Sequence, residues 1–155
     1  MKFIADGNLG KIAKQLRMLG IDCLYNGGMS LPEALQLAVS DNRVFLTLKS
    51  VPSAGKIQVI RLPGSDPISQ VGYLFTQLDF SHQIKSFSRC LICNQVLQAA
   101  SDDIIKEQSD HLPLSVKERK LQIYFCNQCK KSYWHGTHVE RMQEEIDIIL
   151  SQSGK

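Results

Sequence analysis

The chain has 155 residues, 43% of them hydrophobic and 21% charged, which suits one globular domain or two small ones and excludes wholesale disorder. Basic side chains (18) exceed acidic ones (15), and the whole excess lies in residues 1–85, with 9 against 6. That asymmetry permits contact with a polyanion without requiring it.

In chain order, Phe3-Ile4-Ala5 reads as a short strand ending at Asp6-Gly7. Leu9, Ile12, Ala13, Leu16 and Leu19 then recur at helical spacing, with Lys11, Lys14 and Arg17 largely outside that stripe. Gly20 is the expected stop, and Ile21–Leu24 a second strand. After the turn at Asn26-Gly27-Gly28, Ser30 is placed to cap a helix starting near Pro32, with Ala34, Leu35, Leu37 and Ala38 as its apolar side. Val44–Thr47 and Ile57–Ile60 read as buried strands, and a helix over residues 66–77 completes the half. Strands alternating with helices across short links predict an α/β fold: a small parallel sheet with flanking helices. Residues 81–89 read as a linker, and Val139–Leu150 as an amphipathic C-terminal helix with Met142, Ile146, Ile149 and Leu150 on its apolar side.

No apolar run is long enough to span a membrane, and Asp6-Gly7 interrupts the N-terminus too early for a signal peptide. The expected location is the cytoplasm or another reducing compartment, where five cysteines are thiols or metal ligands rather than disulfides. Four of them form two Cys-x-x-Cys units, Cys90/Cys93 and Cys126/Cys129, separated by 32 residues. Such a pair of turns supplies the closed tetrahedral sulfur shell of a structural zinc site. His135 and His138 follow closely and are the alternative ligands, while Cys23 reads as a small buried side chain.

Asp6 stands at the C-terminal edge of the first strand, where open parallel sheets bind ligands. It has two readings: a ligand to a divalent metal, which needs further carboxylates, or the cap of the following helix. Lys11, Lys14 and Arg17, with Lys49 beyond the third strand, are candidates for a phosphate-binding face. Arg89, Lys130 and Lys131, beside Tyr124, Tyr133 and Trp134, offer the mixture of cations and rings that suits single-stranded RNA.

The runs Asp6-Gly7-Asn8-Leu9-Gly10-Lys11, Leu16-Arg17-Met18-Leu19-Gly20-Ile21-Asp22 and Arg43-Val44-Phe45-Leu46-Thr47 resemble the Mut-seven C-terminal RNase family. So do Ser88-Arg89-Cys90-Leu91-Ile92-Cys93-Asn94, Cys126-x-x-Cys129, Tyr133-Trp134-x-Gly136-x-His138 and Arg141-Met142. The resemblance implies a PIN-like nuclease domain over residues 1–80, a zinc ribbon over 88–138, and a C-terminal helix and tail over 139–155. It also implies an RNA-handling protein, with RNA or a ribonucleoprotein as partner. Asp6, with Glu33 at the start of the second helix, would hold Mg²⁺ or Mn²⁺. One departure stands out: the family strand ends Leu-Thr-Arg-Asp, and here the stretch reads Leu46-Thr47-Leu48-Lys49. An ammonium there repels a metal ion, so the expectation is a catalytically impaired relative. The alternatives are an active Mg²⁺- or Mn²⁺-dependent ribonuclease, or a protein-interaction adaptor docking partners through the ribbon and C-terminal helix.

Overall fold

The computed structural model describes residues 1–51, 55 and 57–152, so the last three residues of the predicted tail lie outside it. Its first unit runs β1 (Lys2–Ala5), α1 (Gly10–Met18), β2 (Asp22–Tyr25), α2 (Leu31–Ser40), β3 (Val44–Thr47), β4 (Val59–Arg61) and α3 (Pro67–Gln77). The four strands form a parallel sheet in the order β2-β1-β3-β4.

Alternation along the strands sorts the side chains between two faces. Phe3, Ala5, Cys23, Val44 and Leu46 point to one face, which α1 and α3 cover with Ile12, Leu16, Leu19, Val71 and Leu74. Ile4 and Phe45 point to the other, where α2 adds Ala34 and Ala38. The α1 stripe Leu9, Ile12, Ala13, Leu16 and Leu19 is wholly buried. Both later helices start as their sequences indicate. Ser30 and Glu33 form a reciprocal capping box on α2. Asp66 caps α3 through the Ser69 N–H at 2.8 Å.

The second unit holds β5 (Gln98–Ala99), α4 (Asp102–Glu107), α5 (Leu114–Glu118), β6 (Ile123–Cys126) and β7 (Lys131–Trp134), before the chain leaves in α6 (Thr137–Gln152). Strands β5-β6-β7 form an antiparallel sheet. The polar stretch between the cysteine pairs thus folds, around a small core of Leu112, Val116 and Ile123 against which Trp134 packs.

Helix α6 does not stand apart. Its Met142, Ile146 and Ile149 enter the core shared with α1 and α3, and Gln15 Nε2 on α1 donates to Glu145 at 2.8 Å. Burying an isoleucine is worth about 2 kcal/mol, so α6 is an anchored third helix on that face of the sheet. Residues 81–89 are also held. Lys85 N and Phe87 N donate to the Leu19 and Met18 carbonyls at 3.0 and 2.9 Å. They cross directly over Gly20, whose φ is +79° and where a Cβ would lie 2.1 Å from the Lys85 carbonyl oxygen. Only glycine fits both the backbone angle and that close approach.

Candidate metal centre and the Asp6 edge

The two Cys-x-x-Cys turns share one construction. Asn94 N donates to the Cys90 carbonyl at 3.0 Å, and Lys130 N to the Cys126 carbonyl at 2.8 Å. The residue after each pair is left-handed, with Asn94 at φ 73° and Lys130 at φ 54°. Each turn therefore aims two sulfurs at a common point, and the four sulfur atoms of Cys90, Cys93, Cys126 and Cys129 lie within 4.8 Å of one another. Four sulfurs at the Zn–S distance of about 2.3 Å would sit about 3.8 Å apart, so the cluster is sized to hold one metal ion. Burial and neighbouring sulfurs push the Cys93 and Cys126 thiols up. Cys90 is also penalised by burial, but hydrogen bonds from the Tyr133 hydroxyl and from backbone N–H groups bring it down to about 6. A central cation would satisfy all four as thiolates. His135 and His138 do not belong to the cluster. Cys23 is fully buried and desolvation raises its thiol to about 12, so it is an inert packing residue.

The first cysteine turn is welded to the parallel sheet by charged side chains. Arg17, read as a candidate phosphate contact, is 4% exposed. Its Nε donates to the Cys23 carbonyl at 2.9 Å, and its Nη1 to the Leu91 and Ile92 carbonyls at 3.1 and 2.7 Å. This is a correction with a geometric cause: residue 17 is four positions after the buried Ala13, on the margin of the apolar stripe, and the ribbon lands on that margin. Asp22 completes the joint, pairing with Arg43 at 2.6 Å and Arg89 at 3.6 Å and accepting from Asn94 Nδ2 at 2.9 Å. Burial raises the Asp22 carboxyl, but hydrogen bonds from Arg43 and Asn94 and the charges of Arg43 and Arg89 outweigh it and leave it below the usual carboxylate value.

Asp6 lies at the opposite, C-terminal edge of the sheet. β1 has β2 on one side and β3 on the other, so the connections leaving β1 and β3 run in opposite directions, and Asp6 stands at the switch point of the strand order, where open parallel sheets bind ligands. The Asp6 carboxylate accepts from Gly7 N at 2.7 Å and from Thr47 Oγ1 at 2.9 Å. It does not cap α1. Leu9 is the N-cap and makes no side-chain cap bond, because the chain first turns through Gly7-Asn8, with Leu9 N donating to the Asp6 carbonyl at 2.8 Å. Tyr25 closes over this turn, its hydroxyl donating to the Gly7 carbonyl at 3.0 Å and its ring leaving no room for a Cβ at Gly10.

Lys49 is tied to the same place through its backbone, Lys49 N donating to Thr47 Oγ1 at 3.1 Å. Its side chain is exposed and does not pair with Asp6. Glu33 is committed elsewhere, its carboxylate accepting from Ser30 N at 2.8 Å and Ser30 Oγ at 2.6 Å, and those bonds hold its carboxyl below the usual value. Among the described residues, the four cysteines are the one group of three or more His, Cys, Asp or Glu side chains arranged to share an ion. The carboxylate cluster sought around Asp6 is not among them.

Of the other predicted contacts, Lys11 and Lys14 are exposed on α1, and Lys130 and Lys131 are exposed beside the second cysteine turn. Sequence reasoning missed Arg119, which α5 brings to a cleft that Lys14 also lines, and assigned no binding role to Arg141, which shares a groove with Lys11. No helix is long and apolar enough to cross a membrane among the described residues.

Comparison with curated proteins and with solved structures returned no match for either. A family profile described as the Mut7-C RNAse domain matches residues 1–146, spanning the parallel sheet, the cysteine cluster and most of α6. The chain belongs to the Mut7-C RNase domain family.

Proposed function

We propose that this protein binds single-stranded RNA, alone or within a ribonucleoprotein, in a reducing compartment such as the cytoplasm, and that its hydrolytic centre is impaired. Membership in an RNase-domain family gives the RNA-related, nuclease-like class. The observation that carries the impairment is the coupling at Thr47. One hydroxyl holds both the Asp6 carboxylate and the backbone of residue 49, and the residue at that position is Lys, which supports a centre lacking the acid that the family strand carries there. Metal-assisted phosphodiester cleavage needs several acids to fix the ion and orient water. Glu33, the other candidate, is occupied by its capping box.

The ion at Cys90, Cys93, Cys126 and Cys129 is zinc in this reading, because four thiolates with no open position make a structural site. It would hold the ribbon together and take no part in hydrolysis. Lys11 and Lys14 supply phosphate contacts that need no metal.

Labelled single-stranded RNA titrated with zinc-loaded protein tests this reading. The expected result is salt-sensitive binding whose strength does not change when Mn²⁺ is added. Binding that requires Mn²⁺ and is lost in Asp6→Asn would favour the second reading, an active ribonuclease, which the position of Asp6 at the C-terminal edge of the sheet supports.

A further inference from the structure

Between the ribbon, α5 and the start of α6 lies a cleft of about 690 Å³. Its floor and walls are apolar, formed by Ile92, Val116, Tyr133, Trp134 and Met142, and its polar side chains include Lys14, Arg119 and His138. No Asp or Glu lines it. A second groove of about 370 Å³ continues from it, sharing Lys14, His138 and Met142 and adding Lys11 and Arg141. Its one carboxylate, Glu145, accepts from Gln15.

We infer that this cleft is a nucleobase pocket, in which one base of a single-stranded RNA lies against Trp134 while the flanking phosphates run over Arg119 and Lys14 toward Lys11. The inference rests on the RNA-binding reading above and goes further, assigning base recognition to a site on the ribbon side of α1, away from Asp6.

Three observations support it. The lining combines flat rings with cations and lacks acids, which matches a ligand that is apolar and planar at one end and anionic along its flanks. An apolar peptide would match the walls but would leave Lys14 and Arg119 without counter-charges. The volume falls within the range of preformed small-ligand sites. The direction also fits, because α1 starts beside the Asp6 edge and ends under the ribbon at Arg17. Lys11 and Lys14 therefore mark a track between the two. Gly136 has a part in this arrangement: a Cβ there would lie 3.2 Å from the Trp134 Nε1, so glycine leaves the indole edge uncrowded at the mouth of the cleft.

Trp134 is the chain's single tryptophan, so its fluorescence reports on this cleft directly. Zinc-loaded protein is titrated with a labelled RNA 10-mer and with an abasic oligomer of the same length, reading label anisotropy and Trp134 emission together. The RNA should quench Trp134, and the abasic oligomer should bind about 10-fold or more weakly without quenching, as loss of base stacking dictates. Arg119→Glu and Lys14→Glu, both surface changes, should each weaken binding of the RNA and of the abasic oligomer. RNA binding that leaves Trp134 emission and the Arg119→Glu affinity unchanged, or equal binding of the abasic oligomer, overturns the inference and leaves the RNA-binding reading standing. The cleft would then be free for another occupant, such as a protein segment. No anisotropy change with any RNA defeats both.

Discussion

Arg17→Met keeps the length and apolar stem of the side chain while deleting the guanidinium that joins the ribbon to the sheet. Three bonds to backbone carbonyls go, at 2.7, 2.9 and 3.1 Å. A hydrogen bond from a charged group contributes about 1.5–3 kcal/mol, but the three are not additive. Water can reach the partly buried Leu91 and Ile92 carbonyls, and removing a buried charge recovers its desolvation cost. A net loss of about 2–4 kcal/mol follows, a large share of the 5–15 kcal/mol or so that holds a domain folded. With a urea slope of about 2 kcal/mol per molar, the middle of the usual range, the unfolding midpoint should fall by about 1–2 M. Arg17→Lys should fall part of the way, since an ammonium is a point charge and cannot reproduce the fork. Metal content should stay at one ion per chain in both, because no cysteine is touched. RNA affinity of the folded variant should be unchanged, since a guanidinium buried against carbonyls is not available to phosphates. An Arg17→Met protein that unfolds at the wild-type urea concentration would refute the reasoning.

Cys126→Ser should release the bound metal ion and unfold the ribbon, since binding energy at such a site is folding energy; elemental analysis and the loss of folded β6-β7 signals check this. Asp22→Asn should destabilise the protein at neutral pH, where the carboxylate is charged and paired. Its folded value lies below the ordinary 3.8, so the difference from wild type should persist down to that value and vanish as pH falls through the folded one. Chemical denaturation across acid pH measures it. Lys11→Ala with Lys14→Ala should weaken RNA binding and lower the salt slope by up to about 0.7 per lost contact on a single strand.

The sheet and its covering helices were legible because their apolar residues keep strand and helix periods: Leu9, Ile12, Ala13, Leu16 and Leu19 announce α1, and Ser30 announces the start of α2. The cysteine cluster was legible from spacing alone. The segment between the pairs was not, since its core is only Leu112, Val116 and Ile123 in an otherwise polar run. With it went Arg119 and the cleft. Arg17 was misread because the helical period places it on the margin of the stripe, and only the ribbon, distant in sequence, decides whether a margin is wet or dry. Asp6 was weighed as a cap because it precedes a helix. The Gly7-Asn8 turn that moves the cap to Leu9 depends on Tyr25, which lies on another strand.

Whether the chain handles RNA with an impaired hydrolytic centre is decided by one cleavage series. Zinc-loaded wild type, Asp6→Asn and Lys49→Asp are incubated with labelled single-stranded RNA in Mn²⁺, and products are resolved by length. Wild type and Asp6→Asn should give the same negligible cleavage while both still bind RNA, and Lys49→Asp should bind Mn²⁺ more tightly than wild type. Robust Mn²⁺-dependent cleavage by the unmodified chain that disappears in Asp6→Asn would contradict the impairment.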